Sequence, residues 1–540
     1  MSANIFTRVK LRKPKGAKFS LGFNNTFTAK FGYLIPFLVQ DVLPGDKFKV
    51  GCSHLIRMAP TLAPIMNEVN VFCHYFFVPN RLIWDEWEDF ITRGAQGNLA
   101  PHKPHIKFTL SNSNAGSYAY NCVDGSLADY LNFPTIGRSW NSTGGSKYID
   151  FDALPFRAYQ LIYNEYYRDQ NVQGEISFST DSNDITTSTE VAKLMDLRNR
   201  AWHHDYFTSA LPWPQRNADG VPVPISGSAP VNFANTQSTV VNSSNGSVAT
   251  GPLSSSNGKL YTSDSTSAAI KPVGATVNAS SFRIPTITEF RRAFRLQEWM
   301  ERSAVGGSRY IEQILSHFGV RSSDSRLQRP EYLCGLKNPL IVTEVQQTSA
   351  SVQDTTDDEI VSPLGVLGGN ATSVGSQFAF SRSFEEHGFI IGIMSVMPKA
   401  SYFQGMPRKY SKDTVWDYYW PEFANIGEQP ILNKEIFYNF GLQSTSGDNV
   451  GTFGYTPRYA EYRYNPSEIH GEFRNNLDFW HLARKFDKLP NLNSSFLMYD
   501  NNNIDRVLAV SSDLGAPLYC QFYNNIEAYR LVPEYAESFM

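Results

Sequence analysis

The fold of this chain is decided by one strongly apolar stretch, Val69-Asn70-Val71-Phe72-Cys73-His74-Tyr75-Phe76-Phe77-Val78. β-branched and aromatic side chains dominate it, and Pro79 closes it. A short continuous apolar run bounded by a proline predicts a buried strand. A short helix is expected from Asn80, carrying Trp84, Trp87 and Phe90 at a spacing of three that is more typical of core packing than of a cofactor site.

Upstream of this stretch, residues 19–50 also have the pattern of strands. The large apolar residues keep a period of about two, the spacing at which side chains share one face of a strand, and they are Phe23, Phe27, Phe31, Tyr33 and Ile35. Pro and Gly occupy their preferred turn positions in Leu43-Pro44-Gly45-Asp46. The segment predicts a hairpin or a strand corner.

Three segments in the middle of the chain have helical periodicity. Residues 154–169 place Pro155 in a first turn and keep their aromatic residues on one face. Residues 286–303 begin with a capping box formed by Thr286 and Glu289. A third helix follows Gly306-Gly307 and is predicted to stop at Gly319.

After Pro330 the pattern returns to strands. They are predicted at Leu340–Thr348, Phe384–Met397, Ile431–Phe440, Thr452–Tyr464 and Pro517–Tyr523. Strands at both ends of a chain, with helices and long loops between them, are what a jelly roll with elaborated loops produces, because its two Greek keys pair strands that are distant in sequence. We therefore expect a mainly β protein, with residues 19–540 forming one domain with long insertions.

Composition and charge narrow the function classes. Aromatic residues make up 14% of the 540 residues and charged residues only 18%, which suits extensive contact with partner subunits. The net charge of −3 argues against a surface devoted entirely to nucleic acid. The five cysteines are scattered and include no C-x-x-C pair, so neither a disulfide framework nor a zinc site is indicated. No apolar run reaches the roughly 18 residues that span a bilayer, and we expect a soluble protein made in a reducing cytoplasm.

The first 18 residues form a basic arm. No Asp or Glu occurs before Asp41, and the candidate phosphate-contacting residues of the arm are Arg8, Lys10, Arg12, Lys13, Lys15 and Lys18. Cations in a flexible arm bind phosphates without selecting a base sequence. The alternative interpretation is a solvated tail.

Residues Asn217 to Ser281 stand apart in composition. Ser, Thr, Asn, Gly, Ala and Val dominate, and the segment is too polar to build a core of its own. Its Val- and Ser/Thr-rich pattern is compatible with exposed hairpins in a surface insertion. A flexible linker is the alternative.

Motifs for catalysis are weak or absent. The chain has no G-x-x-x-x-G-K loop, H-E-x-x-H or G-x-S-x-G. His203-His204-Asp205, with His102 and His105 elsewhere, offers metal-ligand chemistry, but adjacent histidines on a strand point to opposite faces. Carboxylates among aromatic residues occur at Trp84–Asp89 and Glu385-Glu386-His387, where a solvated helix face is the favoured interpretation. We predict no catalytic residues, metal site or cofactor.

Short blocks, taken in order, resemble one protein family. They are Gly32-Tyr33-Leu34-Ile35-Pro36, Leu43-Pro44-Gly45-Asp46, Asp205 to Gln215, Gly306 to Tyr310, Ser316 to Val320, Arg326 to Leu333, Glu386 to Gly392, Asp417 to Pro421, Ile426 to Gln429 and Ala460 to Tyr464. In content and order they resemble the major capsid proteins of microviruses, particularly the gokushovirus branch. The blocks run from Gly32 to Tyr464, which is most of the chain.

The resemblance implies an eight-stranded antiparallel jelly roll that self-assembles into a T=1 icosahedral shell around circular single-stranded DNA. It also implies a virion protein assembled in the host bacterial cytoplasm, with a small basic DNA-binding virion protein and a scaffolding protein as partners. In position, Asn217 to Ser281 resembles the insertion that forms threefold protrusions in this branch and is proposed to meet a host surface receptor.

Two other functions remain open from the residues alone. The Trp and carboxylate clusters are compatible with a carbohydrate-active enzyme or lectin on a β-sandwich. The basic arm is compatible with a single-strand DNA-binding protein, although that class predicts positive charge throughout.

Overall fold

The structure is a computed structural model that describes residues 16–94, 98–110, 122–136, 147–215, 231–233, 239–242, 248–250, 253–256, 259–262, 270–272, 275–277, 286–307, 309–348, 351–352, 360–362, 365–445, 447–500, 502–509 and 515–534. The chain divides into two compact units, one formed by Met1–Pro214 with Gly306–Met540 and the other by Gln215–Val305. A single jelly-roll domain over residues 19–540 stays a prediction.

Most of the described elements are strands. Those before the second unit are β1 (Ala17–Ser20), β2 (Phe23–Ala29), β3 (Ile35–Val42), β4 (Lys47–Met58), β5 (Val69–Pro79), β6 (His105–Leu110) and β7 (Lys147–Asp152). Those in the second unit are β8 (Val231–Phe233), β9 (Thr239–Asn242), β10 (Val248–Thr250), β11 (Leu253–Ser256), β12 (Lys259–Thr262), β13 (Ile270–Pro272) and β14 (Ala275–Val277). The last group comprises β15 (Glu331–Pro339), β16 (Ile341–Gln346), β17 (Ser351–Val352), β18 (Ile360–Ser362), β19 (Leu367–Ser383), β20 (Gly388–Pro398), β21 (Ser401–Tyr402), β22 (Glu428–Leu432), β23 (Thr452–Pro457), β24 (Ser467–Glu468) and β25 (Leu518–Arg530).

Two antiparallel sheets organise the first unit. The larger sheet has the order β1-β25-β4-β19-β16, with β2 also paired to β25, and the smaller has the order β15-β5-β20-β3. Their inner side chains form one buried cluster, to which Phe37, Phe48, Tyr75, Ile390 and Phe522 belong. The chain is therefore mainly β, with the core between two sheets as in a β-sandwich.

Strand β5 explains why the apolar run is continuous. Val71, Tyr75 and Phe77 belong to the core between the two sheets. Phe76 and Val78 point the other way and pack into a second buried cluster with the helix Leu154–Ile162. Because both faces of the strand are covered, most of its positions favour an apolar residue. The predicted buried strand is confirmed.

The helices in the described residues are short apart from one. They are Trp87–Thr92, Leu127–Tyr130, Leu154–Ile162, Ser188–Met195, Ile287–Val305, Tyr310–Phe318, Asn433–Ile436, Ser494–Leu497 and Asn502–Asp505. The Thr286 and Glu289 capping box is present, with the Glu289 amide 3.3 Å from Thr286 Oγ1. The helix Tyr310–Phe318 ends at Gly319 in the left-handed conformation, with φ of 69°. All three predicted helices are confirmed, and residues 163–167 continue the first one as a π-helical turn.

The strand predictions are mostly confirmed, with two corrections. Residues 431–440 are wrong as a strand, because β22 ends at Leu432 and Asn433–Ile436 is helical, with the Glu435 carboxylate accepting a hydrogen bond from the Leu432 amide at 2.8 Å. Residues 452–464 are a strand only to Pro457, since the backbone turns at Tyr459, whose φ is 63°. The 17-residue strand β19 was not predicted, because its Gly, Ser and Asn residues give little local β signal.

Candidate functional site

The predicted basic arm lies almost entirely outside the described residues. Arg8, Lys10, Arg12, Lys13 and Lys15 fall there, and nothing tests their contact with DNA. Lys18 lies in β1, and its ammonium is 3.0 Å from the Glu527 carboxylate. The last residue of the predicted arm is thus part of the larger sheet.

The insertion from Asn217 to Ser281 is described only in its paired strands. β8 pairs with β14, β9 pairs with both β10 and β13, and β11 pairs with β12, all antiparallel. Of these pairs, β9–β10 and β11–β12 join consecutive strands as hairpins, as the composition allowed, while the exposure of the segment stays a prediction. Its role in attachment is untested.

Three of the residues considered as metal ligands, Asp205, His102 and His105, make local contacts. The Asp205 carboxylate accepts hydrogen bonds from the Phe207 and Thr208 amides, both at 2.9 Å, and so fixes a turn rather than facing an ion. His102 lies 2.9 Å from Asp184, and His105 lies 2.7 Å from Asp150. Within the described ranges, no group of three or more His, Cys, Asp or Glu side chains is arranged to hold a metal ion.

The carboxylates near Trp84 also have structural partners. Asp85 accepts a hydrogen bond from Thr180 at 2.7 Å, and Glu86 accepts one from Ser182 at 2.5 Å. Glu386 pairs with Arg81 at 2.5 Å. These contacts tie loops together, which explains the carboxylates without an acid and base pair.

Seven exposed aromatic residues in the described part of the first unit were not predicted as a site. We call this set the aromatic surface, and it consists of Tyr410, Trp416, Tyr418, Tyr419, Trp420, Tyr462 and Tyr464. Their exposed fractions run from 44% for Trp420 to 69% for Tyr410. At about 150–250 Å² for a fully buried aromatic side chain, the exposed area is on the order of 700 Å². The largest apolar patch of a typical monomer is about 300–600 Å².

Short turns hold these rings in place. Tyr459, only 5% exposed, adopts the left-handed conformation beneath the surface. Its hydroxyl donates a hydrogen bond to the Tyr418 carbonyl at 3.2 Å and accepts one from the Trp420 amide at 3.4 Å. A strained residue that is held by its surroundings often marks a functional segment.

A buried cation supports the same surface. The Lys412 side chain is 6% exposed, lies 3.7 Å from Glu461 and sits 3.7 Å from the centroid of the Tyr462 ring. It also lies 5.5 Å from the Tyr418 ring. A cation placed between two rings orders both of them, so the aromatic surface is preorganised.

An ion pair lies deeper, at the base of the surface. Arg408 Nη1 is 3.0 Å from Glu435, which also accepts a hydrogen bond from the Tyr206 hydroxyl at 2.8 Å. Burial raises the pKa of Glu435, and the charge of Arg408 opposes that rise. Arg408, Tyr410, Glu435 and Tyr464 line a cavity of about 210 Å³.

A sequence signal for the aromatic surface existed. Asp417-Tyr418-Tyr419-Trp420-Pro421 and Ala460-Glu461-Tyr462-Arg463-Tyr464 are two of the aromatic-rich blocks. Only the tertiary structure shows that these two blocks meet and that their rings remain exposed.

Comparisons with known proteins identify the family. The profile of the capsid protein (F protein) family matches residues 8–540. Capsid protein VP1 of Chlamydia phage 1 is 36% identical, over 99% of this chain and 97% of the relative. VP1 of Bdellovibrio phage phiMH2K is 38% identical, over 92% of this chain and 90% of the relative. VP1 of Spiroplasma virus 4 is 30% identical, over 94% and 92%. With a matching profile over nearly its whole length and a surface suited to protein contacts, the chain belongs to the capsid protein (F protein) family of microviruses and has a structural role.

Proposed function

We propose that this chain is the major capsid subunit that self-assembles into a T=1 icosahedral shell around circular single-stranded DNA, and that it is not an enzyme. The observation that carries the proposal is the aromatic surface. Its area is comparable to the roughly 800 Å² that each partner contributes to a standard protein interface. Leaving so much ordered apolar area in water is costly, and covering it with a second copy removes that cost.

Strand order supports an eight-stranded jelly roll. In chain order its strands are β2, β3, β4, β5, β15, β19, β20 and β25. They fall into two sheets, β2-β25-β4-β19 and β15-β5-β20-β3, with β1 and β16 as additional edge strands of the first. The first and last strands pair with each other, as two Greek keys require. This topology leaves the long loops free for contacts between subunits.

Two further roles belong to the same proposal. The basic residues Arg8 to Lys18 would contact phosphates on the inner side of the shell, alongside a small basic virion protein that neutralises most of the genome charge. The insertion Asn217 to Ser281 would face a host surface receptor. Assembly would take place in the bacterial cytoplasm, with the help of a scaffolding protein, and the mature chain would reside in the virion.

The deciding experiment is sedimentation of the purified full chain, with and without scaffolding protein, followed by electron microscopy of the pellet. We expect uniform small icosahedral particles. The double variant Trp416→Gln/Trp420→Gln is expected to remain unassembled while it keeps the wild-type unfolding midpoint. Tyr148→Gln is the matched control, because Tyr148 is 82% exposed outside the aromatic surface.

Two results would count against the proposal. A wild-type chain that stays monomeric at every protein concentration and salt, with scaffolding protein present, contradicts shell formation. A double variant that assembles like the wild type removes the aromatic surface as a contact between subunits.

A further inference from the structure

The larger sheet has one face turned away from the core. Side chains along β25 alternate, so Leu518, Cys520 and Phe522 are buried while Tyr519 and Tyr523 point outward. β4 shows the same alternation. We call the outward side of β1, β2, β25 and β4 the outer sheet face.

Three tyrosines line this face along a single strand. Tyr519 is 53% exposed, Tyr523 43% and Tyr529 41%. At a rise of about 3.3 Å per residue, they are spaced roughly 13 and 20 Å apart. Phe378 of β19, which is 58% exposed, lies opposite Gly51 and adds a fourth ring beside them. The rings are therefore held in a row by a continuous sheet rather than by a mobile loop.

Cations on the neighbouring strands lie opposite two of the three tyrosines. On β4, Arg57 lies directly opposite Tyr519 and Lys47 lies directly opposite Tyr529. On β1, which pairs with the other edge of β25, Lys18 also lies opposite Tyr529. Directly opposite residues in an antiparallel pair have their Cβ atoms about 5 Å apart, so each of these cations lies within reach of a ring.

The outer sheet face carries few acidic side chains. Among the described outward residues of these four strands, Glu527 is the carboxylate, and it lies opposite Lys49 of β4 and Ser20 of β1. It is already paired with Lys18 at 3.0 Å. The remaining outward positions are mostly amides and hydroxyls, including Asn24, Thr26, Ser53, Gln521 and Asn525. Such a face does not suit a dry apolar interface, but its charge and rings complement a flexible polyanion with flat bases.

We propose that the outer sheet face binds single-stranded nucleic acid, with bases stacked on Tyr519, Tyr523 and Tyr529 and phosphates held by Lys47, Lys49 and Arg57. Aromatic platforms flanked by cations bind single strands without sequence preference. Lys15, the last basic residue before β1, precedes Gly16 directly, so the chain of the basic arm joins the sheet beside Lys18. The inference rests on the proposed function, in which the shell encloses single-stranded DNA, and it assigns the contact to the sheet itself.

The test is fluorescence anisotropy of a labelled dT20 oligonucleotide against the full chain, at protein concentrations below those that give sedimenting particles and over a range of salt. A duplex of equal length is the second probe. We expect tighter binding of dT20, because paired bases cannot stack on the tyrosines. Lys47→Gln/Lys49→Gln/Arg57→Gln should reduce the log–log salt slope by about 2, at roughly 0.7 per phosphate contact.

The tyrosine variant separates stacking from charge. Tyr519→Thr/Tyr523→Thr should weaken dT20 binding about 100-fold with little change of salt slope, at about tenfold per stacked base. Threonine keeps the strand propensity. Tyr148→Thr and Lys193→Gln/Lys488→Gln are matched controls on exposed residues off this face, and they should bind as the wild type does.

Each remaining outcome decides between the two proposals. If the variants bind dT20 like the wild type but no longer form particles, the outer sheet face is a contact between subunits and the inference is wrong, while the shell function stands. If the wild type forms particles but does not prefer dT20 to duplex, the inference is also wrong. If the variants lose dT20 binding but the wild type never forms particles, the inference stands and the shell function fails.

Discussion

Arg408 neutralises a buried carboxylate at the base of the aromatic surface, and the stability of the fold should therefore depend on it. The Glu435 side chain is 1% exposed, and Arg408 supplies its neutralising cation. Removing one partner of a buried ion pair leaves an uncompensated charge, which typically costs about 3–5 kcal/mol. We expect Arg408→Met to lower the free energy of unfolding by about 3 kcal/mol, measured by urea denaturation.

The neighbouring Lys409 is the matched control for this change. It pairs with Glu468 at 3.8 Å, but the two side chains are 53% and 36% exposed. Exposed pairs contribute about 0–1 kcal/mol, so Lys409→Met should change the free energy of unfolding by less than about 1 kcal/mol. Equal losses for both variants would contradict a special role for the buried pair.

His74 makes stability depend on pH. Its Nδ1 lies 2.7 Å from the Tyr167 hydroxyl, and Arg200, His203 and Tyr332 line the same cavity. Burial, followed by the charge of Arg200, lowers the pKa of His74 from 6.5 to about 4. The unfolded chain therefore binds the proton first, so this contribution is complete above pH 6.5 and is lost as the pH falls toward 4.

The expected loss from His74 at pH 4 is on the order of 2 kcal/mol. It is measured as the free energy of unfolding in urea at pH 7, 6, 5 and 4. His74→Gln should reduce the fall over this window, because the glutamine amide does not take up a proton between pH 7 and 4. A His74→Gln profile parallel to the wild type would show that this histidine does not carry the effect.

At the scale of elements, the end of one helix tests a backbone requirement. Gly319 closes Tyr310–Phe318 with φ of 69°, and a Cβ there would meet no atom within 4 Å. A substitution at Gly319 therefore causes no steric clash and changes only the free energy of holding the backbone in the left-handed conformation. Gly319→Ala should lower the free energy of unfolding by about 1 kcal/mol.

Gly174 provides the control for that helix end. A Cβ at Gly174 also meets nothing within 4 Å, and its φ lies outside the left-handed region. Gly174→Ala should leave the free energy of unfolding unchanged or raise it slightly, because alanine restricts the unfolded chain. If both alanine variants behave alike, the left-handed cap is not formed in solution.

At the scale of the whole molecule, three large buried clusters form the core that the structure describes. Their described members all belong to the unit Met1–Pro214 with Gly306–Met540. Replacing Asn217 to Ser281 by a short Gly-Ser linker should therefore keep the thermal midpoint within a few degrees, followed by tryptophan fluorescence. Particles should still form, while attachment to the host should be lost.

Two results would contradict the predictions for the variant that lacks Asn217 to Ser281. A large fall in the thermal midpoint would mean that the segment stabilises the core. Retained attachment would remove the receptor-facing role while leaving the shell function intact. Deleting only residues 243–269, between β9 and β13, is the smaller companion variant.

Local signals in the sequence were sufficient for elements whose stability is local. The capping box at Thr286, the stop at Gly319 and the apolar run of β5 each predicted an observed boundary, because caps, turns and periodicity act within a few residues. The helix Asn433–Ile436 was missed because it is fixed by distant partners, with Glu435 held by Arg408 and Tyr206.

The sequence by itself determined the family, the mainly β class and the absence of familiar catalytic motifs, since these depend on the order of residues along the chain. Only the tertiary structure decided which surfaces remain exposed to solvent. Residues 417–421 and 460–464 meet through contacts such as that of Tyr419 with Tyr462, and Arg57 comes to face Tyr519 across a pair of strands more than 450 residues apart. Register and loop packing are properties of the folded sheet, and a strand sequence does not specify its neighbour without the core that selects the pairing.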